Sequence, residues 1–121
     1  MSDNQAKTAM VNRLAEEVES QLQNDILSYS WLVGITATTF PELEFDERAD
    51  LLVRSLDVLL KKLKINIGPT KSVDSVLHVE SWAEAHDDRI RLLREFIKKH
   101  GAPSRESDFL FWVGLPVSEN K

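Results

Sequence analysis

The chain has 121 residues, 42% of them hydrophobic and 29% charged, a composition suited to one globular domain that buries its own core. The lack of any cysteine excludes a disulfide framework and a thiolate metal site. Twenty acids against fifteen bases leave a net charge of -5, which opposes non-specific attraction to nucleic acid and anionic lipid.

Residues 1–121 are read as a single domain, with residues 1–5 and 117–121 expected to be flexible. The start, Met1 to Lys7, is polar and lacks the apolar stretch of a secretory signal. The uncharged run Ile26 to Phe40 is too short and too rich in Ser and Thr to span a bilayer. A cytoplasmic setting with no membrane contact is therefore expected.

In Gln5–Asn24, Val11, Leu14, Ala15, Val18 and Leu22 return at steps of three and four, which predicts an amphipathic helix. Continuing it would carry Asp25 into the middle of the apolar stripe, so Asn24 or Asp25 is expected to break the helix and cap the next one. Tyr29–Phe40 is ambiguous. Trp31, Val33, Ile35 and several threonines favour a strand by propensity, while the neighbouring pattern favours a helix, which is preferred here. Pro41 then ends it.

Asp46–Lys64 is the strongest helix, with Asp46 as its expected N-cap, acids at its start and lysines at its end to complement the dipole. Ala49, Leu52, Val53, Leu56, Leu59, Leu60 and Leu63 form its core stripe. Leu51, Val58 and Ile65 align on the opposite face and are read as a candidate interface.

Gly68-Pro69 marks a loop. The next helix runs to His100. It begins near Ser72 or Asp74, or follows a short extended stretch over Ser75–Glu80, and Ser81-Trp82-Ala83-Glu84 has the spacing of a capping box. Trp82, Ala83, Ile90, Leu93, Phe96 and Ile97 form its apolar arc, Gly101 closes it at positive φ, and Pro103 prevents its resumption. Ser104–Leu115 reads as a short capped helix whose Phe109, Phe111 and Trp112 complete the candidate interface. The fold class that follows is all-α, a compact bundle of four to five helices. The alternative is α+β, with a small sheet drawn from residues 29–40 and 108–117.

Chemistry is sparse. Glu84, His86, Asp87 and Asp88 lie close in sequence, yet on a helix the carboxylates share the solvent face with Arg91 while His86 points into the apolar arc. Asp87, Arg91 and Glu95 have the spacing of surface ion pairs. His86 and Arg89 are the candidate polar site, with His86 read as a hydrogen-bonded core or interface histidine. His78 and His100 have no partner at a metal spacing, and no Gly-x-Ser-x-Gly elbow singles out a nucleophile. No metal and no cofactor is expected.

Residues 97–112 have the outline of a helix-turn-helix, with local positive charge from Arg89, Arg91, Arg94, Lys98, Lys99 and Arg105. The would-be reading helix, however, offers Phe-Leu-Phe-Trp-Val to the bases. The leading expectation is a small regulatory or protein-interaction domain that works by helix-mediated contact and associates with itself as a homodimer. The alternatives are a DNA-associated regulator using residues 97–112, and an enzyme whose site forms at a subunit boundary.

Overall fold

The computed structural model describes residues 3–23, 25–62, 64–74, 76–80, 82, 85–101 and 111–115. Four helices occur among them: α1 (Asp3–Leu22), α2 (Tyr29–Thr39), α3 (Phe45–Lys61) and α4 (His86–His100). Five short strands accompany them: β1 (Leu27–Ser28), β2 (Asn66–Gly68), β3 (Thr70–Val73), β4 (Val76–Val79) and β5 (Trp112–Gly114). The architecture is mostly helical with a small antiparallel sheet, so the all-α bundle gives way to an α+β arrangement.

The α1 stripe behaves as its spacing predicts, with Val11, Leu14, Ala15, Val18 and Leu22 all buried. The chain does break after α1. Asn24 lies outside the described residues, and Asp25 is exposed and accepts a hydrogen bond from the Ile26 amide. The cap of α2 is Ser28, whose hydroxyl accepts from the Trp31 amide. The cap shifts because Leu27 is itself drawn into the core as a strand residue.

Residues 29–39 are helical, as preferred. The β-prone side chains of α2 are accommodated because Tyr29, Leu32, Ile35 and Thr36 turn inward, and the Thr36 hydroxyl donates back to the Val33 carbonyl at 2.7 Å. Phe40 ends the helix with its amide bonded to Thr36 O.

Helix α3 starts earlier than expected, its N-cap two residues upstream. Glu44, not Asp46, stands at its N-cap and makes no side-chain cap, while Phe45 packs against the core from the first helical position. The helix ends at Lys61, short of the expected Lys64, and Leu63 lies outside the described residues. Leu52, Val53, Leu56, Leu59 and Leu60 are buried, and Ala49 packs against them half-buried. The only polar residue buried within α3, Ser55, donates to Leu52 O at 2.8 Å. Helices α1, α2 and α4 all pack on α3, which makes it the central element.

The largest departure begins at residue 66. Gly68-Pro69 is no open loop, because Gly68 is the last residue of β2. Strands β3 and β4 form a hairpin in the register Thr70↔Val79 to Val73↔Val76, turned through Asp74 at φ +52°. After β4 the chain runs back beside β2, with Glu80 N bonded to Pro69 O at 2.8 Å and Trp82 N to Ile67 O at 2.9 Å. A Cβ on Gly68 would stand 2.0 Å from Glu80 O, so only glycine permits this approach.

Helix α4 therefore starts only at His86, with Ala85 at its N-cap. The capping box expected over 81–84 rests mainly on Ser81, Ala83 and Glu84, which lie outside the described residues. Leu93 and Ile97 are buried, and Ile90, Phe96 and Trp82 pack against the core half-buried. Gly101 closes α4 at φ +59°, its amide donating to Ile97 O.

The second correction is β5. The helix expected over 104–115 is a strand at Trp112–Gly114, while its first part, with Arg105, Ser107 and Phe109, lies outside the described residues. β5 is the central strand of the sheet β1-β5-β2, with Val113 opposite both Leu27 and Ile67. The α+β alternative was right about this strand and wrong about its partner, since residues 29–39 remain helical and β1 lies just before them. The terminal segments 1–2 and 116–121 lie outside the described residues.

Phe111, fully buried, joins the sheet to the helices. Its ring centroid is 4.9 Å from that of Phe96, 5.7 Å from Tyr29 and 5.9 Å from Trp82. Tyr29 completes the cluster edge-to-face with Phe96 at 5.1 Å, and its hydroxyl donates to Gly101 O at 2.6 Å.

Candidate functional site

The residues expected to form an interface are mostly interior. Leu51 and Ile65 are 1% and 3% exposed, so neither presents a surface. Leu51 is covered because α3 has neighbours on several sides, and Ile65 because it leads directly into β2. Val58 alone stays half-exposed, in a shallow hollow with Thr8, Asn12 and Arg54. Phe111 is core, Trp112 is half-buried in the central strand, and Phe109 lies outside the described residues.

The candidate polar pair also separates. The His86 ring reaches across to α3 and pairs through Nε2 with Asp57 Oδ1, while Lys61 Nζ approaches the other oxygen of Asp57 at 3.5 Å. The Arg89 guanidinium instead donates to Trp82 O at 3.1 Å. His86 thus makes a half-buried contact between α4 and α3 and does not sit in the apolar arc. No group of three or more metal-type ligands occurs among the described residues.

The basic residues of α4 are largely committed to the protein itself. Arg91 pairs with Asp88 at 3.0 Å, one residue from the expected Asp87, and Arg94 pairs with Asp50 at 3.0 Å. Asp50 also meets Arg54 at 2.9 Å and Lys7 at 3.5 Å, which ties α1, α3 and α4 together. Partial burial acts to raise the Asp50 pKa, but hydrogen bonds from Arg94 and Arg54 and the charges of Arg54 and Lys7 outweigh it and hold the carboxyl below its ordinary value. The would-be reading helix lies mostly in residues 102–110, outside the described residues, and its expected end at 112–114 is a strand.

The feature that sequence reasoning missed lies on α2. Trp31 is 57% exposed, the largest exposed aromatic among the described residues. It stands on one exposed face with Gly34 and Thr38, at helical steps of three and seven, while the buried Ile35 lines the groove beside them. Across from them, Glu17 and Gln21 occupy neighbouring turns of α1, and the Trp31 indole N–H meets Gln21 Oε1 at 3.4 Å. Together these residues line a groove of about 520 Å³, with Ser28, Ser30 and Thr39 at its edge. A Cβ on Gly34 would meet nothing within 4 Å, so the floor of the groove is open to solvent.

A signal for this face was present in the sequence. On a helix, the wheel position of Trp31 is shared by Gly34 and Thr38, which are poor core residues, and an aromatic backed by them points away from the core. The strand-like propensity of the segment drew attention to its conformation and away from its outer face.

No family model matches the chain, and comparison with curated proteins and with solved structures found no match. No helix among the described residues is long and apolar enough to cross a membrane.

Proposed function

We propose that this chain is a small regulatory domain that works by helix-mediated protein contact and not by catalysis, with the groove between α1 and α2 as its contact surface. The observation that carries the reading is Trp31, a large aromatic held outward beside the open backbone of Gly34. Aromatic side chains anchor interfaces because they bury much area at little cost in conformational entropy. The aromatic cluster of the core is made by Tyr29, Phe96 and Phe111 without Trp31. A cytoplasmic setting belongs to the same proposal. Association with a second copy does too, although Leu51 and Ile65 no longer serve it.

The test uses a photo-crosslinking amino acid at Thr38, inside the groove, and at Glu95, exposed on α4. In extract of the source cells, a discrete adduct is expected from position 38, absent from position 95, and lost when Trp31→Glu is added with the melting temperature unchanged. Adducts indifferent to Trp31→Glu, or none at position 38, would refute the reading.

A further inference from the structure

We infer that the groove receives an arginine side chain of the partner, its guanidinium stacked on the Trp31 indole and hydrogen-bonded by Glu17. This rests on the contact-domain reading and narrows it to one chemistry. The argument begins with charge. Glu17 is the only charged residue lining the groove, and α2 carries no charged residue at all. The base one turn before Glu17, Arg13, lies over the Phe40 ring at 5.6 Å, and no ion pair joins Glu17 to any described residue. An exposed carboxylate beside an uncharged helix face, on a chain of net charge -5, attracts a cation and repels phosphate or carboxylate.

The aromatic wall selects among cations. Tryptophan has the most favourable ring face for a cation, and the contact of the indole N–H with Gln21 places the ring one helical turn from Glu17. A guanidinium is planar and weakly hydrated, so it can stack on the indole while its N–H fork bonds a carboxylate, which an ammonium cannot do in one plane. Gly34 contributes space, because the partner backbone carrying that arginine can approach α2 without meeting a side chain.

The probe is N-acetyl-arginine amide, titrated into the isotopically labelled full chain, with N-acetyl-citrulline amide as its uncharged isostere. Saturable shifts are expected at the Trp31 indole and the amides of Glu17 and Gly34, with the Trp82 and Trp112 indoles unmoved and citrulline without effect. Glu17→Gln should weaken the arginine probe about threefold, and Trp31→Ala about fivefold, with the remaining spectrum unchanged. Equal response to citrulline, no saturable shift, or indifference to Glu17→Gln would overturn the inference. A crosslink at Thr38 that survives Glu17→Gln but not Trp31→Glu would sink the arginine and leave the contact reading standing. A wild-type dimer in sedimentation that Trp31→Glu dissolves would replace the arginine-bearing partner with a second copy.

Discussion

Helix α3 and strand β5 both deliver apolar side chains to the same core, yet they are specified in opposite ways. α3 carries its own instructions: apolar residues at every inward step but Ser55, acids in the first turn and Lys61 in the last. β5 is three residues long, and its state is decided by β1 and β2, which are distant in sequence. A helix closes its hydrogen bonds within a few residues, whereas a strand has none until its partners arrive. The lesson is that damage to α3 should cost packing, while damage around β5 should cost topology.

The sharpest test of the α3 side is Leu56→Ala. Leu56 is fully buried, so truncation should cost about 2 to 5 kcal/mol in urea unfolding and leave the helical circular dichroism of the folded state intact. On the sheet side, Gly68→Ala forces a Cβ to within 2.0 Å of the Glu80 carbonyl, and the backbone cannot yield without separating β2 from the segment after β4. A loss of about 2 to 3 kcal/mol is expected, with amide exchange accelerated at Ile67, Trp82 and β5 and little changed in α1. Uniform acceleration would show that the two regions are not distinct.

Tyr29 joins the regions, since its ring meets Phe111 and its hydroxyl meets Gly101 O. Tyr29→Phe leaves that acceptor unpaired and should cost about 1 to 2 kcal/mol. Burial pushes the Tyr29 pKa from 10.0 up to about 12. The protonated phenol is the form the fold favours, so its contribution is complete below pH 10 and lost as pH rises from there through about 12. Tyr29→Phe should flatten that part of the alkaline stability profile.

Asp50 acts in the opposite direction. Its carboxyl is held below the ordinary value, so its contribution is present at neutral pH and lost as pH falls through the lowered folded value. Asp50→Asn should cost about 1 kcal/mol or less at neutral pH, because the Lys7, Arg54 and Arg94 contacts are all partly solvated, and should reduce the acid dependence. The smallest effect belongs to Trp31→Ala, expected within about 0.5 kcal/mol because the ring lies mostly in solvent. A larger loss would make Trp31 a structural residue.

How much was legible beforehand divides along the same line. The stripes of α1 and α3, the apolar arc of α4 and the closure at Gly101 were readable because three- and four-residue periodicity and positive-φ glycine are local signals. The partner of His86 was not legible in the same way, since a helical wheel does not show that Asp57 of α3 would face it. The groove at Trp31 was only half legible: its residues were visible, but not that α1 would stand opposite them.

The sequence by itself determined α1 and α3 and the main inward stripe of each, because those follow from hydrogen bonds and side-chain spacing within a few residues. Only the tertiary structure decided that Leu51 and Ile65 are interior, since a helix surrounded by three others buries more than one face. It also decided that Trp112–Gly114 is a central strand. A short apolar segment fits helix and strand equally well until another strand satisfies its backbone, and β1 and β2 satisfy it from both sides.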